Sequence, residues 1–461
     1  MGHANDKARI WHSNGRKHLA ASNPSHILRG RASSLDPRGC SEGVGAGNYE
    51  GPLYFQRAVG STPNSIYEVY PDKFVGNTTE IPTGYGSTIF SVTSVGDASL
   101  VYQAPALFAI GVIIPTINGG LFSEGGTPSS NNFLTLTRKG DAEKSYSLGG
   151  ESTLGTYPFF APSPSGDLFA VMAVTTEQYE IVKVALDGTI TVLHTFGDGE
   201  GYPDRYAGIA MGPNGGFYGF SDTPTNQLLY KLSQTGAFTK VATLPAGNGN
   251  AGIVVAPDGT VYVELGNGGP NKTGSIYVVS PTTGQYTTLA TFPATGMTGP
   301  ATLLLADDGN LYGTTRSLPS YLFRLNLTTN QLEDLAGPLY SEACPCPMIQ
   351  GSNGKLYGVS PSGGGGGGGV FFNVDAGLPP PQPTIQLFSP TQASEGTRVE
   401  LWGSNLLGAT SVTFNGIAGT NVLATTSQSV FADVPEGATS GPITITTPNG
   451  SFTTQDSFTV Q

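Results

Sequence analysis

The sequence predicts an all-β protein, a β-propeller followed by an immunoglobulin-like β-sandwich. Three observations support this: a repeat every 44 to 50 residues, alternation of apolar and polar residues within the repeat, and a new pattern after a proline-rich segment. Composition agrees, because glycine is 66 of 461 residues and charged residues are only 12%. Glycine-rich turns between short strands fit these values better than long helices do.

The first half of each repeat carries a glycine–x–aliphatic–aromatic motif. Its six copies begin at Gly119, Gly166, Gly215, Gly259, Gly309 and Gly354. A short apolar segment precedes most copies, and Asn-Gly or Asp-Gly joins the two parts at Gly215, Gly259 and Gly309. Such dipeptides favour the positive φ of tight hairpins. The motif therefore predicts an inner hairpin.

The second half of each repeat alternates apolar and polar residues, then turns, then alternates again. Its seven copies begin at Ile89, Phe133, Ile181, Leu229, Ile276, Leu322 and Val370. Period-2 alternation is typical of half-buried antiparallel strands. Two hairpins in about 47 residues match one four-stranded propeller blade.

The number of blades follows from how the ring closes. The sequence contains six inner hairpins and seven outer motifs, and the last outer motif lacks its final strand. Residues 51–54 and 66–69 supply either a degenerate first inner hairpin or the strand that closes the ring, which would remove open edges. We expect seven blades over residues 48–375, with six as the alternative.

The repeats resemble the GloVer tandem repeats of bacterial surface and secreted proteins. The resemblance rests on the segments DGNLYGTT at 308–315, GKLYG at 354–358, a glycine run at 363–369 before VFF, and HTFGDGEGYP at 194–203. It covers roughly residues 86–375 and implies an extracellular repeat protein with no settled activity.

A second domain follows the proline-rich linker at 376–382. Residues 383–461 contain about seven short strand-like segments and no cysteine, which predicts an immunoglobulin-like sandwich. The elements SP, GT, WGSNL, VTFNG, VP and GPITITTPNG stand in the order of an IPT/TIG domain, which this segment closely resembles. Such domains occur in cell-surface receptors, secreted polysaccharide enzymes and some DNA-binding factors. Because the segment has one cation, Arg398, against five acids, the DNA-binding role is disfavoured.

Charge is unevenly distributed along the chain. The net charge is −12, yet the first 50 residues are net basic. An acidic body repels phosphate backbones, so nucleic acid is not an expected partner. Residues 1–47 contain no apolar run, and we expect a poorly ordered leader or a misannotated start without its signal peptide. No stretch is apolar enough to span a membrane, and we expect an extracellular or cell-surface location.

Few residues suggest chemistry. Cys344 and Cys346 are expected to be two loop thiols, or alternatively a local disulfide, and His194 is expected to be structural. The Asp-Gly pairs at Asp187, Asp198, Asp258 and Asp308 are expected to form turns. Only the loop at residues 198–200, with Asp204 nearby, offers clustered oxygen ligands for a cation. We predict no catalytic residue, no metal and no cofactor.

One set of residues falls in inter-strand connections that could share a rim of the propeller. They are Tyr202, Asp204, Arg205, Tyr206, Asp222 and Arg316. Aromatic rings beside polar groups suit sugar stacking, although solvated loops have the same composition. We treat them as candidate binding residues.

Three functional hypotheses follow. The first is a non-catalytic binding or adhesion protein that recognises a glycan or a surface protein. The second is a propeller-type polysaccharide lyase or glycoside hydrolase, which requires carboxylates with Arg or His over the central channel. The third is a purely structural surface protein.

Overall fold

The computed structural model of the protein describes a chain built of strands. It describes residues 48–54, 61–80, 87–104, 109–115, 120–127, 130–136, 142–147, 160–162, 167–173, 178–185, 187–203, 209–213, 215–223, 225–247, 252–317, 319–339, 348–361 and 368–461. Within these residues there are 38 strands and no helix. The expected leader at 1–47 and all three cysteines lie outside the described residues. In the described ranges no helix is long and apolar enough to cross a membrane.

The first half of the chain forms strand β1 and four sheets. The strands are β1 (Asn48–Tyr54); sheet 1, β2 (Ser61–Tyr70), β3 (Lys73–Glu80), β4 (Thr88–Thr93) and β5 (Ala98–Gln103); sheet 2, β6 (Ala109–Pro115), β7 (Leu121–Thr127), β8 (Ser130–Leu136) and β9 (Ala142–Ser147); sheet 3, β10 (Phe160–Pro162), β11 (Leu168–Ala173), β12 (Tyr179–Val184) and β13 (Ile190–Thr195); sheet 4, β14 (Tyr202–Pro203), β15 (Ala210–Met211), β16 (Phe217–Asp222), β17 (Asn226–Leu232) and β18 (Phe238–Pro245).

Three further sheets follow as far as residue 375. The strands are sheet 5, β19 (Ile253–Val255), β20 (Val261–Leu265), β21 (Ser275–Val279) and β22 (Tyr286–Thr291); sheet 6, β23 (Pro300–Leu305), β24 (Leu311–Thr315), β25 (Ser320–Asn326) and β26 (Gln331–Leu339); sheet 7, β27 (Ile349–Gln350), β28 (Leu356–Ser360) and β29 (Val370–Asp375), with β1 paired to β29. All seven sheets are antiparallel, and in each the strands that follow one another along the chain lie side by side, apart from β14 and β15, which both pair with β16.

The seven sheets pack against one another in a closed ring. Six apolar clusters each join a sheet to the next one along the chain, and a seventh joins sheet 7 back to sheet 1. At that junction Phe74 of sheet 1 stacks obliquely on Tyr357 of sheet 7, with ring centroids 4.4 Å apart. The arrangement is β-propeller-like.

The N-terminal segment contributes one strand to sheet 7 and one strand to sheet 1. Residues 51–54 lie in β1, which fills the outermost place in sheet 7, and residues 66–69 lie in β2, the first strand of sheet 1. The two alternatives drawn from the sequence therefore occur together. The partner of β2 is β3, whose turn is made by Asp72 at φ 61° rather than by Asn-Gly or Asp-Gly.

Glycine in the second strand of several sheets makes room for an aromatic ring. Gly76, Gly219, Gly313 and Gly358 lie opposite Phe90, Tyr230, Phe323 and Phe372 in the strand register. A Cβ at any of the four glycines would overlap the facing ring. Packing of this kind explains why the motif continues as leucine–tyrosine–glycine in sheets 6 and 7.

The Asp-Gly turns are fixed by local hydrogen bonds. Gly188, Gly259 and Gly309 have φ of 89°, 88° and 76°, which glycine adopts without strain. The preceding aspartates each accept a hydrogen bond from the backbone N–H two residues on, at 2.9 to 3.0 Å. These three aspartates are therefore turn residues.

Residues 384–460 form two more sheets around a separate core. The strands are sheet 8, β30 (Thr384–Ser389), β32 (Arg398–Ser404), β35 (Thr420–Ala424) and β36 (Ser429–Asp433); sheet 9, β31 (Gln392–Ala393), β33 (Ser411–Phe414), β34 (Ile417–Ala418), β37 (Gly441–Thr447) and β38 (Gly450–Val460). One buried apolar cluster takes residues from both sheets, including Leu401 and Ile445. The sheets therefore pack face to face.

Polar contacts tie this unit to the seam of the ring. Glu68 in β2 accepts hydrogen bonds from the backbone N–H and the hydroxyl of Ser352, at 2.8 and 2.7 Å, and from Asp72 N–H at 2.8 Å. Asn449, in the β37–β38 turn, donates to the Ser352 carbonyl at 2.8 Å. Burial raises the pKa of Glu68, although these hydrogen bonds oppose the rise. The first sheet, the last sheet and the C-terminal unit thus meet at Ser352.

Candidate functional site

The predicted rim residues that the structure describes lie at, or beside, the C-terminal ends of β16 and β24. Tyr202 pairs directly with Asp222, the last residue of β16, and Arg316 directly follows β24. Because β16 and β24 occupy equivalent places in sheets 4 and 6, these residues lie at the same edge of the ring. Asp204, Arg205 and Tyr206 lie outside the described residues.

Tyr202 and Asp222 form the first part of this rim. The Tyr202 side chain is 55% exposed and meets Tyr179 edge-on, with ring centroids 5.9 Å apart. Burial raises the pKa of Asp222, although Gln227 Nε2 donates a hydrogen bond to its carboxylate at 2.9 Å. The same Nε2 donates to the Gly247 carbonyl at 2.8 Å, which links sheet 4 to the loop that leads into sheet 5. An exposed ring beside a held carboxylate is a surface on which a sugar could stack.

Glu264 is a buried acid at the equivalent edge of sheet 5. It lies in β20 and is 0% exposed, and in the described part of the chain its carboxyl group meets only the backbone N–H of Gly252, which lowers the pKa slightly without forming a well-aligned hydrogen bond. Burial raises its pKa to about 8, and the nearby charge of Arg316 offsets only part of that rise. Gly252 leaves the space that this carboxyl group occupies, since a Cβ there would lie 2.9 Å from Glu264 Oε1.

The Arg316 guanidinium is the second half of the pair. Its Nε and Nη2 atoms are buried and have no hydrogen-bond partner among the described residues. Its backbone is fixed, because Arg316 N–H donates to the Gly299 carbonyl at 2.7 Å. Glu264 and Arg316 interact electrostatically without forming an ion pair within 4.0 Å. Buried polar groups in native proteins are nearly always satisfied, so these two side chains are candidates for a binding site.

Sequence reasoning found Arg316 and missed Glu264. Arg316 lies in a connection, where binding residues are expected, whereas Glu264 lies inside the apolar strand VYVEL. The position in the repeat gives only a weak signal. Counted from the glycine–x–aliphatic–aromatic motif, the residues that correspond to Glu264 are Val171, Phe220, Thr314 and Val359 in sheets 3, 4, 6 and 7, but Glu124 in sheet 2. An acid in that place therefore occurs in two repeats and does not single out Glu264.

A polar cavity opens beside Arg316. Its volume is about 220 Å³, and its walls come from the loop at 266–274, the residues just before β23, and the residues just after β24. The polar side chains that line it are Asn267, Lys272, Thr273, Thr298, Arg316 and Ser317. None of the lining residues is acidic. Small-molecule sites typically combine concavity with a few convergent polar groups.

His194 and the loop that follows it form a structural contact between sheets 3 and 4. His194 Nε2 lies 2.9 Å from Glu200 Oε2, and the imidazole stacks on Phe238 of β18, with ring centroids 4.0 Å apart. Lys240 donates to the Gly199 carbonyl at 3.2 Å. These contacts agree with the structural role expected for His194.

Replacing the Glu200 carboxylate with an amide should lower the stability of the protein near neutral pH and leave it unchanged at acidic pH. Burial opposes ionisation, yet hydrogen bonds from Gly197 N–H and His194 together lower the Glu200 pKa. A lowered pKa stabilises the fold above the unfolded-state pKa of about 4.3, and that stability is lost as pH falls through the folded-state value. Urea unfolding of Glu200→Gln should show a loss at pH 6 and none at pH 3. The exposed neighbour variant Asp198→Asn should match the parent at both. An equal loss at both values would contradict this.

No metal site is evident in the described ranges. They contain no group of three or more His, Cys, Asp or Glu side chains placed to hold an ion. Asp198 and Glu200 of the proposed cation loop are described, and Glu200 is held by His194 and Gly197 N–H. Its third member, Asp204, and both Cys344 and Cys346 lie outside the described residues.

Comparison with known proteins identifies a fold and no family. No family model matches the chain, and no curated protein matches it. The structure is similar to that of streptogramin B lyase, a β-propeller protein, with a TM-score of 0.52 and 18% identity over 69% of this chain and 95% of the lyase. It is also similar to a fungal alcohol oxidase of the AA5 family in complex with copper, with a TM-score of 0.52 and 13% identity over 90% of this chain and 100% of that one. At such identities the likeness concerns the fold alone.

Proposed function

We propose that the chain is a seven-bladed β-propeller followed by an immunoglobulin-like domain of the IPT/TIG type. The seven sheets in closed order support the first part, and the two facing sheets of residues 384–460 with one shared core support the second. The leucine–tyrosine–glycine motifs support a relation to GloVer repeats. We place the protein outside the cell or on its surface because of these two resemblances.

The function that the geometry favours is non-catalytic recognition of a glycan at the propeller rim. The observation that carries it is Arg316, a guanidinium that lines a cavity while its Nε and Nη2 atoms have no partner in the described chain. An orphaned buried donor costs roughly 1–3 kcal/mol, and more when it is charged. A ligand in the cavity that accepts a hydrogen bond from the accessible part of this guanidinium offsets part of the cost of holding the charge there.

Carbohydrate is the ligand class that matches the rest of the wall. Hydroxyl and amide side chains line the cavity of about 220 Å³ beside the guanidinium, although the hydroxyls of Thr273 and Ser317 already donate to the carbonyls of Phe292 and Pro319. Along the same rim, Tyr202 offers an exposed ring for stacking a neighbouring sugar. A protein partner would be expected to cover a larger area.

The test is a glycan array probed with the full chain. We expect saturable binding to one class of glycan, lost in Arg316→Met and kept in Lys240→Met, which removes an exposed cation away from the rim cavity. Circular dichroism should show that both variants are folded. The absence of binding to every glycan, or binding that Arg316→Met leaves unchanged, would overturn the proposal.

A second candidate function is an enzyme that acts on the same glycan. The observation in its favour is Glu264, whose pKa of about 8 keeps it protonated at neutral pH and able to donate a proton. Against it, hydrolases use two carboxyl groups, and no acidic residue lines the cavity. Turnover of the bound glycan that disappears in Glu264→Gln while binding persists would replace the binding role with catalysis.

A further inference from the structure

The rim cavity carries two cations that face no acidic wall. Lys272 and Arg316 both line it, and neither makes an ion pair within the described ranges. The protein as a whole has a net charge of −12. A local cluster of positive charge in an acidic protein attracts anions specifically to that place.

The loop that carries Lys272 is held in an unusual conformation. Lys272 has φ of 55°, in the left-handed region that residues other than glycine rarely adopt. Hydrogen bonds fix this conformation: Lys272 N–H donates to the Gly269 carbonyl at 3.1 Å, and Gly274 N–H donates to the Gly268 carbonyl at 2.9 Å. Conformations of this kind persist only where the surrounding structure holds them, and they concentrate at functional sites.

The three walls of the cavity are tied to one another through the backbone. Gly299 N–H donates to the Thr273 carbonyl at 2.7 Å, Arg316 N–H donates to the Gly299 carbonyl at 2.7 Å, and Ser317 N–H donates to the Thr298 carbonyl at 3.2 Å. Sheets 5 and 6 are thereby clamped around the cavity. A site that is already ordered loses less entropy when it binds a ligand.

Glu264 does not neutralise Arg316 at neutral pH. It is completely buried, it is not among the residues that line the cavity, and burial keeps it protonated below about pH 8. The guanidinium therefore keeps its charge available. Because Nε and Nη2 are buried, a carboxylate in the cavity meets the guanidinium through Nη1, in one charge-assisted hydrogen bond.

We propose that the rim cavity between sheets 5 and 6 binds the carboxylate of a uronic acid residue in an acidic polysaccharide, with Arg316 and Lys272 as its partners. The cavity of about 220 Å³ is smaller than a typical drug site of about 300–1,000 Å³, which suits one sugar residue of a longer chain. This inference rests on the proposed glycan-binding function and specifies its ligand.

The experiment is calorimetric titration of the full chain with uronate oligosaccharides, each paired with its neutral methyl ester. We expect the acid form to bind and the ester to bind roughly tenfold more weakly or worse, since a charge-assisted pair is lost. Arg316→Met and Lys272→Met should each remove that preference, and Lys240→Met should keep it. Affinity for the acid should fall as salt rises.

Two results would overturn the inference and remain distinguishable from failure of the proposed function. Equal affinity for acid and ester would refute the carboxylate and leave glycan recognition standing. Binding of sulfated or neutral sugars alone on the array would do the same. If no glycan on the array binds to the protein, the proposed function itself is wrong.

Discussion

Gly313→Ala should lower the free energy of unfolding by about 3 kcal/mol. A Cβ at this position would overlap the Thr302 carbonyl oxygen and the ring of Phe323, which is 0% exposed. Neither neighbour can yield cheaply, because one is backbone in the adjacent strand and the other is packed between sheets 5 and 6. Urea denaturation monitored by circular dichroism measures the change.

Gly197→Ala is the matched control for this substitution. Gly197 is exposed, and a Cβ there would meet no atom within 4 Å. We expect this variant to unfold within about 0.5 kcal/mol of the parent. A change below 1 kcal/mol in Gly313→Ala would show that the glycine–aromatic pairs of the second and third strands are not packed as described.

The sequence predicts the repeated hairpins well because each is local. Strand and turn signals recur in each repeat, and the glycine after Leu311 and Tyr312 is explained by a facing ring only one hairpin away. Ring closure is less predictable. The first strand, β1, carries no motif of its own, and it pairs with β29, the last strand of the ring in chain order. Long-range pairing of this kind depends on the complete ring.

The site was only partly predictable for a related reason. Arg316 lies in a connection between strands and can be recognised as a candidate from the sequence. Glu264 becomes a candidate only because it is buried and lies near the guanidinium of the next sheet. The local sequence pattern predicts neither its burial nor this proximity. Tyr202 and Asp222 were predicted to share a rim, and the structure pairs them directly.

Glu264→Gln should stabilise the ligand-free protein, and the gain should grow with pH. The folded protein keeps the Glu264 proton up to about pH 8, while the unfolded chain releases it near its ordinary pKa of about 4.3. Between these values the unfolded state binds fewer protons, so the stability of the parent falls as pH rises. The amide has the same shape and no charge to bury. Because one pKa unit corresponds to about 1.4 kcal/mol, we expect a gain on the order of 4 kcal/mol at pH 8 and close to none at pH 4.

Glu436→Gln controls for the loss of one negative charge. Glu436 is exposed in the C-terminal unit, and its replacement should change stability little at either pH. A gain in Glu264→Gln that this control lacks is then a property of the buried site. Loss of stability in favour of a functional group is a common trade-off at binding and catalytic sites.

Arg316 is kept for a ligand and is not a structural partner that Glu264 needs. The most direct test is the free energy of unfolding of Glu264→Gln relative to the parent at pH 8, measured by urea denaturation without added glycan. We expect the variant to be the more stable protein. A variant less stable than the parent by about 3 kcal/mol, as expected when a buried charge loses a structural partner, would contradict it.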